Sequence, residues 1–166
     1  MCALYGSARD VSLIKKINEE LIIDIIDTEV LYYKLVLGDT KPNLYGESDN
    51  KQYYNPVNIH TLINREEQSY EADEFGVDHK ATARFAFLRD RLVEFDLYAQ
   101  PGDIIEWDNE YYEVDGTPEN QYFAGKNPAT WLGGGGHGYN ISIICDAHIT
   151  RRDRLNLVDT NVGLND

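Results

Sequence analysis

The sequence has few cysteines, no long apolar run and a shortage of basic residues, and each of these absences excludes a class of protein. Its two cysteines, Cys2 and Cys145, stand far apart, so they do not form the framework of a disulfide-rich domain, and a reducing compartment is favoured. The longest apolar stretch, Leu21–Ile26, is interrupted by Asp24 and is much shorter than the roughly 20 residues of a membrane helix. We therefore expect no insertion into a membrane.

The first residues also lack the basic segment, apolar core and cleavage site of a secretory signal peptide. Together with the scarcity of cysteine, this predicts a protein that is made and used in the cytosol. A length of 166 residues is enough for one domain with a real hydrophobic core, so we expect residues 1–166 to form a single domain.

Basic residues are strongly outnumbered, with 15 Lys and Arg against 29 Asp and Glu, which gives a formal net charge of −14. A protein that grips duplex DNA gains its affinity by neutralising phosphates with Lys and Arg, so this composition argues against that class. Two interpretations of the acidity remain open. One is solubility, and the other is a surface that must not hold an anion, such as a channel through which DNA slides without sticking.

The stretch Gln100–Val114 predicts a β-hairpin around which the rest of the chain is organised. Its first segment, Pro-Gly-Asp at 101–103, is typical of a turn, because proline presets φ, glycine tolerates a positive φ and aspartate caps its own backbone. A short apolar run with Trp107 follows, Asp-Asn at 108–109 reverses the chain, and an aromatic run returns. The residues that we expect at the core of this hairpin are Gly102, Ile104, Trp107, Tyr112 and Val114.

Residues 10–23 predict an amphipathic helix, because Ile14, Ile17 and Leu21 recur at spacings of three and four. We expect the apolar face of this helix to pack on the core of its own domain. A helix that binds a partner is the alternative.

Further segments with strand-like composition or apolar alternation surround the hairpin, and a short helical turn is predicted at 89–96. The predicted strands are 29–37, 57–63, 79–88 and 139–149. Together these segments predict a mainly β fold, a small β-barrel or sandwich with one N-terminal α-helix and long loops. The β core would span about 29–149, and a polar tail would follow at 150–166.

The acid-rich segment 64–78 predicts a connector, namely the solvated or lumen-facing tip of a long hairpin. Its spacing does not follow the pattern of a calcium-binding loop, with its glycine and terminal glutamate, so we expect no metal there. The acids that crowd this connector include Glu66, Glu67, Glu71, Asp73 and Glu74.

Residues 116–138 contain seven Gly and two Pro and predict a long loop, which in a compact domain is usually functional or mobile. The glycine run at 133–136 lacks the Lys-Ser/Thr pair of a phosphate-binding loop and the spacing of a dinucleotide fingerprint. Cys145 and His148 lie three residues apart on a predicted strand, so they face opposite sides and do not form a zinc site or a nucleophile–base pair. We expect no catalytic residues, no metal and no cofactor.

Several short segments also occur in a characteristic order. They are the N-terminal helix, a strand with the pair Tyr32-Tyr33, the segment Leu44–Glu47, the segment Pro101–Ile105, the returning Tyr112–Val114 and the loop Asn120–Gly125. In this order they resemble the smaller neck protein, the head-completion protein, of T-even type contractile-tailed bacteriophages. The resemblance covers roughly Leu13–Gly125 in patches, and neither the glycine loop nor the final strand aligns with that family.

The resemblance implies a non-enzymatic structural protein of the virion, assembled in the host cytoplasm and located in the neck between capsid and tail. Such proteins form homo-oligomeric rings with a β-barrel core, commonly sixfold, which close the DNA-filled capsid. The implied partners are portal or adaptor proteins on the head side and the tail terminator on the tail side, while genomic DNA passes through without sequence-specific binding.

On this interpretation the acids of the connector, Glu66 to Glu74, are the candidate lining of the DNA channel. The candidate contacts with neighbouring subunits or partners are Tyr122, Phe123, Trp131 and His137. An alternative is a small β-barrel enzyme or ligand-binding module in which Trp107, Trp131 and the tyrosines line a pocket. The aromatic content does not decide between them, because aromatic residues also anchor protein interfaces. A protein-binding adaptor outside any virion is a third alternative.

Overall fold

The computed structural model describes residues 8–36, 51–73, 76–118 and 141–152 together with residues 155 and 157; side chains are described for these except residues 8, 10, 11 and 66–80. Helix α1 spans Ala8–Glu20 and continues as a π-helical segment, Leu21–Ile26, which we call the π-turn. The remaining elements are β1 (Glu29–Tyr33), β2 (Val57–Asp73), β3 (Gly76–Leu88), α2 (Arg89–Glu94), β4 (Ile104–Trp107), β5 (Glu110–Gly116) and β6 (Ser142–Thr150).

The described strands close into one antiparallel barrel in the order β1-β2-β3-β6-β5-β4. Closure comes from pairing between β4 and β1, in which Tyr32 lies opposite Ile105. Within the closed part of the barrel each strand has a neighbour on both sides, so the backbone hydrogen bonds there are satisfied within the sheet. The predicted mainly β fold with an N-terminal helix is confirmed, and of the two predicted forms the structure is the barrel.

The barrel interior is filled by side chains that alternate along the longer strands β3 and β6. On β3, for example, Ala83, Phe85 and Phe87 are buried while the intervening Arg84 is exposed. The small residue leaves room for large rings, and Phe85 meets Tyr112 edge-on with ring centroids 5.4 Å apart. A barrel of this size therefore has a packed core rather than a pore.

The predicted central hairpin is confirmed as β4 and β5. Its two turn residues, Asp108 and Asn109, have φ of 53° and 62°, the paired positive values of the type I′ turn that matches the twist of the strands. Upstream, Gly102 has φ +90°, and a Cβ at this position would lie 3.3 Å from Leu35 Cδ2. The turn before β4 therefore needs glycine for both its backbone angle and its close packing.

The acid-rich segment differs from its prediction, because β2 and β3 run through it and stay paired from Thr61 opposite Phe87 to Asp73 opposite Gly76. Other strands pair with β2 and β3 only near the barrel. Strand β1 pairs with residues 57–60 of β2, and β6 pairs with residues 82–88 of β3. Residues 65–73 and 76–81 thus form a two-stranded extension of the barrel, which we call the ribbon. The hairpin was predicted correctly, but most of the supposed connector is strand. A two-stranded ribbon needs no apolar face, so composition alone indicated a loop.

The position of α1 also differs from its prediction. Ile22 is buried, but an apolar row on the same helix is exposed, so the expected packing on the core is wrong for this row. The exposed fractions are 58% for Leu13, 53% for Ile17, 42% for Leu21 and 73% for Ile25. The helix is held partly through its polar flank, by ion pairs of Lys15 with Asp90 and of Glu19 with Arg91.

Trp107 is half-buried and packs against the barrel core, with its ring tilted on Tyr112 and the Arg65 guanidinium 5.3 Å from its centroid. We expect Trp107→Ala to lower the free energy of unfolding by about 1–3 kcal/mol, less than for a fully buried tryptophan because part of the ring already faces solvent. Urea unfolding followed by circular dichroism measures this loss. Tyr54→Ala, at an exposed aromatic, is the control and should change stability by less than about 0.5 kcal/mol. An unchanged urea midpoint for Trp107→Ala would contradict the assignment of Trp107 to the packed hairpin.

Candidate functional site

A buried carboxylate at one end of the barrel ties β1 to the turn that precedes β4. Asp103 is fully buried, and its Oδ2 accepts hydrogen bonds from Tyr32 Oη at 2.6 Å, Lys34 Nζ at 3.0 Å and Gln100 N at 2.8 Å. Its Oδ1 accepts from Leu35 N at 2.9 Å. Four donors on one carboxylate supply the pairing that a buried charge requires, so this group fixes the strand and the turn in one geometry.

The sequence predicted only part of this arrangement. The bond from Gln100 N is the local backbone cap expected of an aspartate in a Pro-Gly-Asp turn. The bonds from Tyr32, Lys34 and Leu35 come from residues about 70 positions away in the chain. They depend on the pairing of β1 with β4, and no local pattern in the sequence reveals them.

Burial favours the neutral form of the interior tyrosines and of the interior cysteine. Burial, followed by the nearby Asp103 charge, raises the pKa of the Tyr32 hydroxyl and raises that of the Cys145 thiol to about 12. Burial, followed by the hydrogen bond to Glu110, raises the pKa of Tyr112 to about 12. A thiol with a raised pKa is a poor nucleophile, and this environment suits a structural core rather than covalent chemistry.

A second polar cluster anchors the base of the ribbon to the central hairpin. Arg65 forms an ion pair with Glu110 and donates to Tyr112 Oη at 3.2 Å, and Tyr112 in turn donates to Glu110 at 2.7 Å. The same guanidinium lies over the Trp107 ring. These contacts join β2, β4 and β5 at the point where the ribbon leaves the barrel, so its base has a defined position.

The ribbon begins with a β-bulge, because Arg65 lies opposite Ala83 and Gln68 lies opposite Ala81, which leaves one extra residue on β2. A bulge bends its strand and increases the local twist, and it therefore sets the direction of the ribbon. From residue 65 to residue 73 the ribbon extends about 26 Å at the usual rise of a strand. Residues 66–78 contain six acids and no Lys or Arg, so this extension carries a concentrated negative charge.

The backbone shows where the predicted channel acids lie. Glu66 and Glu67 are at the bulge, Glu71 is in register with Asp78, and Asp73 is in register with Gly76 at the far end. Glu74 lies outside the described residues, as do the predicted contact residues. These contact residues are Tyr122, Phe123, Trp131 and His137.

The structure divides the predicted hairpin residues between two buried clusters. Tyr112 and Val114 are almost fully buried in the barrel core, with half-buried Trp107 packed against it, whereas Ile104 is buried in a second cluster with Tyr33 and Tyr53. Cys145 and His148 face opposite sides of β6 as expected, the first buried and the second exposed, with His148 Nδ1 at 2.8 Å from Asp115. The described side chains form no group of three or more His, Cys, Asp or Glu arranged to hold a metal ion. None of the described helices is both long and apolar enough to cross a membrane.

The exposed row of Leu13, Ile17, Leu21 and Ile25, which we call the α1 stripe, includes two residues, Ile17 and Leu21, that were expected to pack on the core. Its residues are spaced by four, a period that fits one helix face equally well in a buried and in an exposed position. An extended apolar row on a protein surface typically marks an interaction site.

No family model and no curated protein matches the sequence. Among solved structures, the chain is similar to a chain of the virion of a native gene transfer agent particle, with a TM-score of 0.44 and 10% identity over 72% of this chain and 90% of that one. The candidate functional surfaces are therefore identified from the burial, charge and contacts of this chain's own residues.

Asp103→Ala is expected to lower the free energy of unfolding by roughly 3–5 kcal/mol, because it removes the charged partner of the largely buried Lys34 and an acceptor of three further donors. Asp103→Asn is the matched control. It keeps one acceptor oxygen in the same volume and should cost less than the alanine variant. Urea unfolding measures both, and a loss below about 1 kcal/mol for the alanine variant would show that the carboxylate does not hold the barrel end together.

Stability should also fall in alkali, between about pH 9 and pH 12. An unfolded cysteine loses its proton near its usual pKa of about 8.5, whereas the folded Cys145 has a pKa of about 12 and keeps its proton, so raising the pH in this window favours the unfolded chain. Below this window both states are protonated and the contribution of this group is constant.

Urea unfolding at pH 7.5, 9 and 10.5 tests this prediction on the wild type and on Cys145→Ala. Cys145→Ala should not show the fall in the free energy of unfolding that begins near pH 9, but it should keep the fall that is due to the buried tyrosines. Parallel pH curves for the two proteins would rule out the thiol as a contributor.

Proposed function

We propose that this chain is a structural protein of a tailed-phage virion, a neck component that forms a homo-oligomeric, sixfold ring between capsid and tail. The observation that carries the proposal is the ribbon, a highly acidic two-stranded extension that leaves the barrel from an anchored base. The order of short segments shared with head-completion proteins supports the same assignment.

The ring would use the ribbon to line its channel. Copies related by rotation about an axis place equivalent extensions around that axis, and a closed ring requires such heterologous contacts. The acids of residues 66–78 would then give the lumen a negative potential. Phosphates are repelled by such a surface, so DNA can pass during packaging and ejection without being retained.

The packed interior of the barrel favours the connector over a ligand-binding barrel or enzyme. The volume that a ligand would need inside the barrel is occupied by buried rings, among them Tyr32, Phe85 and Tyr112. Trp107, one of the proposed pocket residues, packs instead against Tyr112 and Arg65. The proposed partners remain the portal or adaptor proteins and the tail terminator, with Tyr122, Phe123, Trp131 and His137 as contact residues.

Electron microscopy of lysates from a phage that lacks this gene tests the proposed location. Complete heads and complete tails should accumulate unjoined, and wild-type protein supplied in trans should restore joined particles. Normally joined, infectious virions in its absence would refute a function in the neck.

Complementation with charge variants tests the function of the ribbon. The triple variant Glu66→Gln, Glu67→Gln and Glu71→Gln should give joined particles with reduced infectivity, because a less negative lumen retains DNA. The matched control removes three exposed acids outside the ribbon, through Glu94→Gln, Asp96→Asn and Asp108→Asn. Asparagine tolerates the positive φ of the last two positions. Equal infectivity of the two variants would show that the acids serve solubility alone.

A further inference from the structure

The α1 stripe forms one continuous face because of the π-turn. In an α-helix, a spacing of four residues overshoots a full turn of 3.6 residues, so a row at this spacing drifts around the helix. A π-turn contains more residues per turn, and the same spacing falls short of a full turn. The π-turn at Leu21–Ile26 thus rotates Ile25 back toward Ile17. Its end is fixed by Asp27, whose N–H donates to Ile22 O at 3.1 Å.

The stripe is bordered on one side by exposed charges of both signs. Lys16 lies in its N-terminal half, whereas Glu20 and Asp24 lie in its C-terminal half, and all three side chains are exposed. Lys15 and Glu19, on the side of the helix that faces away from the stripe, are instead paired with residues of α2. The charged border therefore has a direction along the helix, basic first and acidic second.

We propose that the α1 stripe is the interface of a homodimer, in which two copies of α1 pack antiparallel about a twofold axis near residue 19. This arrangement places Leu13 level with Ile25 of the second copy and Ile17 level with its Leu21. Lys16 then lies between Glu20 and Asp24 of the second copy, about 3 Å along the axis from each.

Only the antiparallel orientation brings these charges together. A twofold axis perpendicular to two antiparallel helices keeps equivalent flanks on the same side, so the charged border of one copy meets that of the other. In a parallel pair the charged border faces the opposite flank, and the complementary signs are not used. Glu20 also lies about 3 Å along the axis from Glu20 of the second copy, but the four opposite-charge neighbours outnumber this one like-charge contact. A second copy in this orientation therefore fits both the apolar row and its charged border.

The helix pair is small compared with the roughly 1,200–2,000 Å² of a stable protein interface, so we expect a reversible dimer that depends on concentration. The inference goes beyond the neck assignment and does not rest on it. The two can fail separately, because the ring is tested by particle assembly and the dimer by self-association of the pure protein.

Sedimentation velocity of the full chain over a range of concentrations tests the dimer. We expect a shift from monomer to dimer in the wild type, and a dissociation constant raised by about tenfold or more in Ile17→Ser and in Leu21→Ser. Both residues are exposed, so neither change should impair folding. Val93→Ser, at an aliphatic residue of similar exposure on α2, is the matched control and should dimerise as the wild type does.

Charge reversal tests the orientation. Lys16→Glu and Glu20→Lys should each weaken self-association, because each homodimer would then juxtapose like charges. An equimolar mixture of the two should form heterodimers more readily than either forms homodimers, since the mixed pair restores both opposite-charge contacts. Each substitution also changes the stability of its own helix, but this change is the same in the single-variant samples and in the mixture. The mixture therefore controls for it.

Three outcomes would overturn the proposal. One is a protein that stays monomeric at all accessible concentrations, as expected if another segment of the chain or a different protein covers the stripe. Another is a dimer that Ile17→Ser and Leu21→Ser leave unchanged, and the third is a mixture that shows no preference for the heterodimer.

Discussion

The buried carboxylate of Asp103 is the interaction on which the geometry of the barrel end depends. A charge with no solvent exposure is tolerated only when donors surround it, and here Tyr32, Lys34 and two backbone amides supply them. Through these bonds β1 is joined to the turn before β4, where Gly102 provides the tight backbone path. Closure of the sheet at this point lets the remaining strands share one core.

Because the closed barrel has its own packed core, the ribbon and the α1 stripe on its outside can contact other molecules. The interior is filled by rings and small residues, so the fold does not depend on the ribbon or on the α1 stripe for its core. The ribbon is anchored by Arg65 through Glu110, Tyr112 and Trp107, and it extends its acids beyond the packed domain. A stable body with a charged extension and an exposed apolar helix face is the form expected of an assembly subunit.

The helix and the ribbon show where local patterns are insufficient. The spacing of Ile17 and Leu21 indicates an amphipathic helix, but it does not indicate which surface the apolar face contacts. In the same way, the acids of residues 66–78 have the composition of a loop, although the backbone continues as paired strands to residue 73. The surface that the helix contacts is set by tertiary docking and the ribbon by backbone pairing, and neither is specified by local apolar periodicity.

Elements whose signals are local could be predicted from the sequence. Composition and apolar alternation predicted strands at 79–88 and 139–149, and turn chemistry predicted the hairpin at Asp108-Asn109. Long-range contacts, in contrast, close the sheet as a barrel, bring the Tyr32 hydroxyl of β1 to Asp103 and leave Ile17 facing solvent. The physical reason is that periodicity and turn preferences act over a few residues, whereas closure, buried polar pairing and helix docking depend on contacts between residues distant in the chain.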